Sequence, residues 1–133
     1  MEKFIIEGGH QLSGTLIPGG NKNEVLPALA ASLLTTEDVV LHNVPRIKDV
    51  EVMMEIIRDL GGEAGFTDEK SNTVRLCCEH VNKNELSADL CKKVRASILF
   101  AGPMLARQRE VHLPPPGGDV IGRRRLDTHF LAF

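Results

Sequence analysis

The chain has 133 residues, of which 42% are apolar, and a formal net charge of −2. This length and composition suit one globular domain with a hydrophobic core and exclude a disordered chain. The weak negative charge and the absence of Trp and Tyr argue against a nucleic-acid binder, and no apolar run is long enough for a membrane span.

Cysteine and histidine usage narrows the class further. The chain has three cysteines, two of them adjacent, which does not suit a disulfide framework and favours a reducing cytoplasm. Its five histidines are scattered and lack metal-ligand spacing. We therefore expect no metal site and no cofactor.

The first part of the chain predicts a hairpin followed by a helix. Alternating apolar residues predict short strands over Lys3–Glu7 and Gln11–Ile17, with the turn at Gly8-Gly9. Apolar residues on one face predict a helix over Glu24–Leu34, with Asn23 as its N-cap.

The middle of the chain predicts a strand, a helix and a second hairpin. The strand covers Asp38–Asn43, and the amphipathic helix Lys48–Leu60 is stopped by Gly61-Gly62. Two further strands over Glu63–Thr67 and Thr73–Cys77 pair across a polar turn.

The last part predicts a long helix, a strand and the start of another helix. The helix covers Leu90–Leu105 and is ended or kinked by Pro103. A strand over Glu110–Leu113 then leads into a long loop, and a new amphipathic run begins at Asp127.

The loop Leu113–Asp127 carries the strongest chemical signal. It combines three prolines, three glycines (Gly117, Gly118 and Gly122), one carboxylate (Asp119) and three arginines (Arg123–Arg125). Arginines beside a helix start can seat a phosphate or another anion, although a solvated surface loop is an equal reading of the residues alone. We expect Pro114–Arg123 to be the least ordered segment.

The sequence also contains an internal repeat. The segment Asn23–Leu41 aligns with Arg95–Leu113 at a shift of 72 residues. The loop that follows is six residues longer in the second copy. The added piece contains Asp119, which points to a function. Because the second copy stops inside its second helix, we expect an N-terminal piece of a longer protein with an exposed apolar end.

Four pieces of the sequence carry a family resemblance: Gly20-Asn21-Lys22-Asn23, Asn43-Val44-Pro45 with Lys48-Asp49-Val50, Arg95-Ala96-Ser97-Ile98 with Gly102-Pro103, and Gly117–Gly122 running into Arg124 and Asp127. Together, in this order and spacing, they resemble the enolpyruvyl transferases. The branch acting on UDP-N-acetylglucosamine fits best. The branch acting on shikimate 3-phosphate usually has Lys-Ser where this chain has Lys22-Asn23.

The resemblance implies an α/β fold of repeated βαβαββ-type units that build an inside-out α/β barrel. This chain would hold about one and a half of those units. Residues 1–20 would form a hairpin of the second domain of the full-length protein, and residues 21–133 an incomplete first catalytic domain. A piece of this size is expected to be inactive and to self-associate.

The resemblance also implies a reaction. The enolpyruvyl group of phosphoenolpyruvate is transferred to the 3-hydroxyl of UDP-N-acetylglucosamine, the first committed step of peptidoglycan synthesis. In this sequence the match assigns Lys22 and Arg124 to phosphoenolpyruvate, Asn23 and Arg95 to the nucleotide sugar, and Arg125, Leu126, Asp127 and Thr128 to the uridine. The alternatives are 3-phosphoshikimate as acceptor, or a non-catalytic anion or nucleotide binder.

The loop departs from the family pattern at Asp119, where most members carry a cysteine. Either residue can donate a proton, so we expect Asp119 to be the catalytic acid. The antibiotic fosfomycin alkylates the cysteine, and a carboxylate is a poor nucleophile, so we expect fosfomycin resistance. Pro114–Pro116 also make the loop longer than the usual pattern.

Overall fold

The computed structural model describes residues 3–68, 70–118 and 125–133. The elements in chain order are α1 (Lys22–Ala31) with a 3₁₀ turn (Ser32–Leu34), β1 (Val39–Leu41), α2 (Lys48–Asp59), β2 (Glu63–Phe66), β3 (Val74–Cys77), α3 (Ala88–Cys91), a 3₁₀ segment (Arg95–Phe100), α4 (Ala101–Gln108) and α5 (Asp127–Ala132). None of the helices in these ranges has the length and apolar character needed to cross a bilayer.

The strands form an antiparallel sheet in the order β1-β3-β2. Val40 lies opposite Arg75, and Gly65 lies opposite Arg75 on the other side. The polar turn between β2 and β3 is closed by the Thr67 amide, which donates to the Thr73 carbonyl at 2.9 Å. The predicted strand before α2 and the predicted second hairpin are confirmed, each slightly shorter than the sequence indicated.

Helix α2 lies at the centre of the molecule. It packs against α1 and the 3₁₀ segment on one side and against β2 on the other. The apolar residues of the helix and the residue that follows it are buried because both sides are covered: Val50, Val52, Met53, Met54, Ile56, Ile57 and Leu60. Each buried residue of this size contributes about 1.5–3 kcal/mol of transfer free energy, which makes α2 the main organiser of the core.

The single long helix predicted over Leu90–Leu105 is wrong. The chain forms α3, leaves the helix at Val94, and resumes as the 3₁₀ segment and α4. Val94 has extended backbone angles, φ −142° and ψ 127°, and its side chain is buried. Pro103 neither ends nor kinks a helix, since it lies in the first turn of α4, where no backbone donor is needed.

The break has a hydrogen-bonding cause. In a continuous helix, the carbonyls of Cys91 and Lys92 would accept from amides four residues later. Here they accept from the amides of Gly117 and Gly118, at 2.9 and 3.1 Å. The later loop therefore supplies the donors that a continuous helix would have supplied. A long-range pairing of this kind cannot be predicted from the period of apolar residues.

The first predicted hairpin is not formed. Residues 3–20 contain no strand, and the apolar side chains of this segment, among them Phe4, Ile6, Leu12 and Ile17, are 85–94% exposed. An isolated two-stranded hairpin is marginal in water, and here the described residues offer it no surface to pack on.

Two predictions near the end of the chain have mixed outcomes. The strand predicted over Glu110–Leu113 is reduced to one parallel bridge between His112 and Glu85. Helix α5 begins at Asp127 as predicted, and it has no buried residue. The large apolar side chains of this helix and of the residue after it, Phe130, Leu131 and Phe133, are exposed as expected.

Candidate functional site

Two of the motif pieces contact each other directly at the start of α1. A Cβ atom on Gly20 would lie 1.7 Å from the carbonyl oxygen of Asn43, so only glycine allows this approach. Asn43 itself adopts a left-handed backbone with φ 57°, which asparagine tolerates better than most residues. The residue leading into α1 and the residues after β1 therefore lie in close contact.

Helix α1 begins two residues earlier than the sequence indicated. Its N-cap is Asn21, whose side-chain oxygen accepts from the Asn23 amide at 2.7 Å. The predicted cap at Asn23 is therefore wrong, and Lys22 and Asn23 are the first two helical residues. Behind them, Leu26 and Leu29 are buried and anchor the helix.

Lys22 forms an ion pair with Asp49, the second residue of α2. The side chains are 52% and 31% exposed, so the pair is open to solvent on one side. A carboxylate in the first turn of a helix is stabilised by the partial positive charge of that helix end. The pair therefore joins the N-terminal ends of α1 and α2.

A cleft of about 600 Å³ opens beside this ion pair, a size typical of small-molecule sites. Three cations and one carboxylate are among the residues that line it, which include Lys22, Asn23, Leu26, Asp49, Lys93, Arg95, Ile98 and Gly118. The excess of positive charge suits an anionic ligand. The predicted site residues Lys22 and Asn23 thus lie around one cleft with Arg95, which is 72 residues away from Asn23 in the sequence.

Gly117 and Gly118 of the loop pack against residues 92–95, part of which lines this cleft. A Cβ atom on Gly117 would lie 1.8 Å from the Lys92 carbonyl oxygen. Gly118 has φ 82° and borders the cleft. The prediction that Pro114–Arg123 is poorly ordered stays a prediction, although Gly117 and Gly118 are held by hydrogen bonds.

Two predicted catalytic residues, Asp119 and Arg124, lie outside the described residues. The predicted uridine residues Arg125, Leu126, Asp127 and Thr128 are described, and they do not border the cleft. Arg125 donates to the Asp127 carboxylate at 2.7 Å, and this hydrogen bond lowers the pKa of Asp127.

Asp49 and Lys93 were not predicted as site residues. The available signal for Asp49 was its place in a motif piece and in the repeat, where it corresponds to Asp127. Both aspartates lie in the first turn of a helix. Lys93 had no signal, because the break in the predicted helix is what brings it to the cleft.

The cysteines are free, and Cys78 and Cys91 are buried, which raises the pKa of both thiols. Within the described ranges no group of three His, Cys, Asp or Glu side chains could hold a metal ion.

The comparison with family models identifies the class. The model described as EPSP synthase (3-phosphoshikimate 1-carboxyvinyltransferase) matches residues 6–133. The chain belongs to this family of enolpyruvyl transferases.

Individual curated relatives are similar to this chain over nearly its whole length. Over 130 residues the chain is 55% identical to a UDP-N-acetylglucosamine 1-carboxyvinyltransferase of Bradyrhizobium diazoefficiens, covering 98% of this chain and 30% of the relative. It is 51% identical over 132 residues to a protein of the same name from Treponema denticola, covering 99% and 30%. The chain thus spans about a third of the length of these curated relatives.

A solved structure supports the fold. The enolpyruvyl transferase NikO from Streptomyces tendae matches with a TM-score of 0.65 and 28% sequence identity, covering 75% of this chain and 23% of NikO. The α/β, enolpyruvyl transferase-like fold expected from the sequence is confirmed.

Proposed function

We propose that this chain supplies part of the active site of an enzyme that transfers the enolpyruvyl group of phosphoenolpyruvate to the 3-hydroxyl of UDP-N-acetylglucosamine. The transfer is the first committed step of peptidoglycan synthesis. Support comes from relatives at 42–55% identity that carry the name of this activity.

The single observation that carries the proposal is the shared cleft of Lys22, Asn23 and Arg95. Phosphoenolpyruvate and a nucleotide diphosphate sugar are both polyanions, and the cleft offers three cations against one carboxylate. A lysine ammonium is a compact charge and an arginine a planar fork, and a phosphate can use both. We assign Lys22, together with Arg124, to phosphoenolpyruvate, and Asn23 and Arg95 to the nucleotide sugar.

The chemistry needs an acid that protonates the methylene carbon of phosphoenolpyruvate. We assign this role to Asp119, which follows directly on Gly118 at the border of the cleft. A free carboxyl has a pKa of about 3.9, so the acid form at neutral pH requires desolvation by bound substrate. A carboxylate in place of a thiol also implies fosfomycin resistance.

Residues 125–128 are proposed to hold the uridine once the remainder of the site surrounds them. Residues 1–20 are proposed to belong to the second domain of a longer protein, because the large apolar side chains between residues 4 and 17 are almost fully exposed in this chain. The same exposed side chains would also drive self-association of the isolated chain. A cytoplasmic location remains part of the proposal, supported by the free cysteines.

The test uses a chimera in which this chain replaces the matching residues of the Bradyrhizobium diazoefficiens relative. We expect phosphate release from phosphoenolpyruvate that depends on UDP-N-acetylglucosamine. Shikimate 3-phosphate as the only active acceptor would favour the sister activity. Ligand binding without phosphate release, while the unmodified relative is active, would favour a non-catalytic binder.

A further inference from the structure

The ion pair of Lys22 with Asp49 sits inside the cleft, and this has a consequence beyond binding. Asp49 is the only carboxylate among the described residues that line the cleft. A negative charge beside a proposed phosphate site weakens anion binding by simple Coulomb repulsion. Its presence there calls for a compensating role.

Stability supplies only a small part of that role, because a carboxylate at the start of a helix gains little when it is open to water. The two side chains are 52% and 31% exposed, and ion pairs this open to water contribute little to folding. Lys22 also lies at the end of α1 that repels a cation, since the N-terminus of a helix carries partial positive charge. An unpaired ammonium on a flexible four-carbon chain would swing away from that end into solvent.

We propose that Asp49 is a positioning residue that holds the Lys22 ammonium in the cleft, an inference that rests on the proposed function. An ammonium has three donors, so one can bind Asp49 while the others face the phosphate. Asp49 is itself fixed, because α2 is buried among α1, β2 and the 3₁₀ segment. The core helix thereby sets where the charge on α1 lies.

This arrangement predicts a specific split in kinetics. Without the carboxylate, Lys22 still attracts phosphoenolpyruvate, but it no longer holds the phosphate in one geometry. In the chimera, we expect Asp49→Asn to lower kcat about tenfold or more and to change KM for phosphoenolpyruvate by less than about threefold. Asp49→Glu, which keeps the charge, should recover part of the lost kcat.

The chain offers a matched control on the same helix. Asp59 at the end of α2 pairs with Lys83 at 2.8 Å, and its side chain is 33% exposed, but it lies away from the cleft. Asp59→Asn should leave kcat within about twofold of the unsubstituted chimera, since surface changes of this kind act little. Only Asp49 lies at the positive end of α2, so Asp49→Asn should have the slightly lower unfolding midpoint, and kcat is compared well below both midpoints.

A double substitution tests the route of the effect. If Asp49 acts through Lys22, Asp49→Asn should add less than about twofold in a Lys22→Ala background. Equal kcat in the Asp49→Asn and Asp59→Asn variants would overturn the inference while the proposed function stands. The same loss with and without Lys22 would also overturn it. An unsubstituted chimera without activity would remove the proposed function and this inference together.

Discussion

The proposed site residues that the structure describes fall into two halves, which differ in how well the backbone beneath them is packed. The packed half, Lys22, Asn23, Asp49 and Arg95, stands at the ends of elements whose inner faces are buried. The exposed half, residues 125–128, stands at the start of α5, which has no buried residue. Charge on a surface is preorganised only when packing holds the backbone beneath it.

The electrostatics of the two halves follow the same division. In the packed half the ion pair of Lys22 joins two helices that are separate in sequence. In the exposed half Arg125 is satisfied by Asp127, two residues away. The first pairing defines a cleft between elements, whereas the second is local and leaves the site incomplete without further contacts.

The largest expected effect concerns Asp119, on the segment between the halves. In the chimera, Asp119→Asn should lower turnover about 10²–10⁴-fold, because an amide cannot deliver the proton. Asp119→Cys should retain turnover and gain time-dependent inactivation by fosfomycin. Normal turnover of Asp119→Asn would show that Asp119 is not the acid.

The three native cysteines of this chain provide a control for the fosfomycin prediction. The pKa of the Cys78 and Cys91 thiols is raised by burial, so neither supplies much thiolate. Cys77 lies on β3, away from the cleft. The chimera with Asp119 intact should therefore keep its activity in the presence of fosfomycin. Mass spectrometry should find no alkylated cysteine within the part of the chimera that comes from this chain.

The next effect measures the packing beneath each half. Leu29 is fully buried in α1, and Leu29→Ala should lower the free energy of unfolding by about 2–5 kcal/mol. Leu131 in α5 is 86% exposed, and Leu131→Ala should change the free energy of unfolding by less than about 0.5 kcal/mol. Urea denaturation of the chain, at a concentration where sedimentation shows a monomer, measures both, and similar losses would contradict the division into halves.

A smaller effect is expected where the loop docks. Gly117→Ala places a methyl group against the Lys92 carbonyl and disrupts the hydrogen bond to Cys91, so it should cost about 1–3 kcal/mol. Gly19→Ala is the control, because nothing lies within 4 Å of its added Cβ. Equal stabilities of the two variants would mean that the loop is not held at this point.

Sequence reasoning succeeded where local pattern and tertiary packing agree. The period of apolar residues located α2, and the glycine pair after it located its end. The motif residues Lys22, Asn23 and Arg95 line one cleft, and their assignment to substrate binding stays a prediction.

It failed where distant groups decide the local structure. The helical period around Val94 was overridden when Gly117 and Gly118 took the carbonyls of Cys91 and Lys92. The first hairpin had the right alternation but nothing to pack on. Lys93 lies at the cleft only because the predicted helix is interrupted at Val94.

The most direct test of the account compares two lysines, each paired with an aspartate of α2: Lys22 with Asp49 and Lys83 with Asp59. In the chimera, Lys22→Ala should lower kcat/KM for phosphoenolpyruvate about 10²–10³-fold, the typical loss for a group that stabilises transition-state charge. Lys83→Ala should stay within about twofold of the unsubstituted chimera. Equal values for the two variants would contradict the assignment of the cleft to phosphoenolpyruvate.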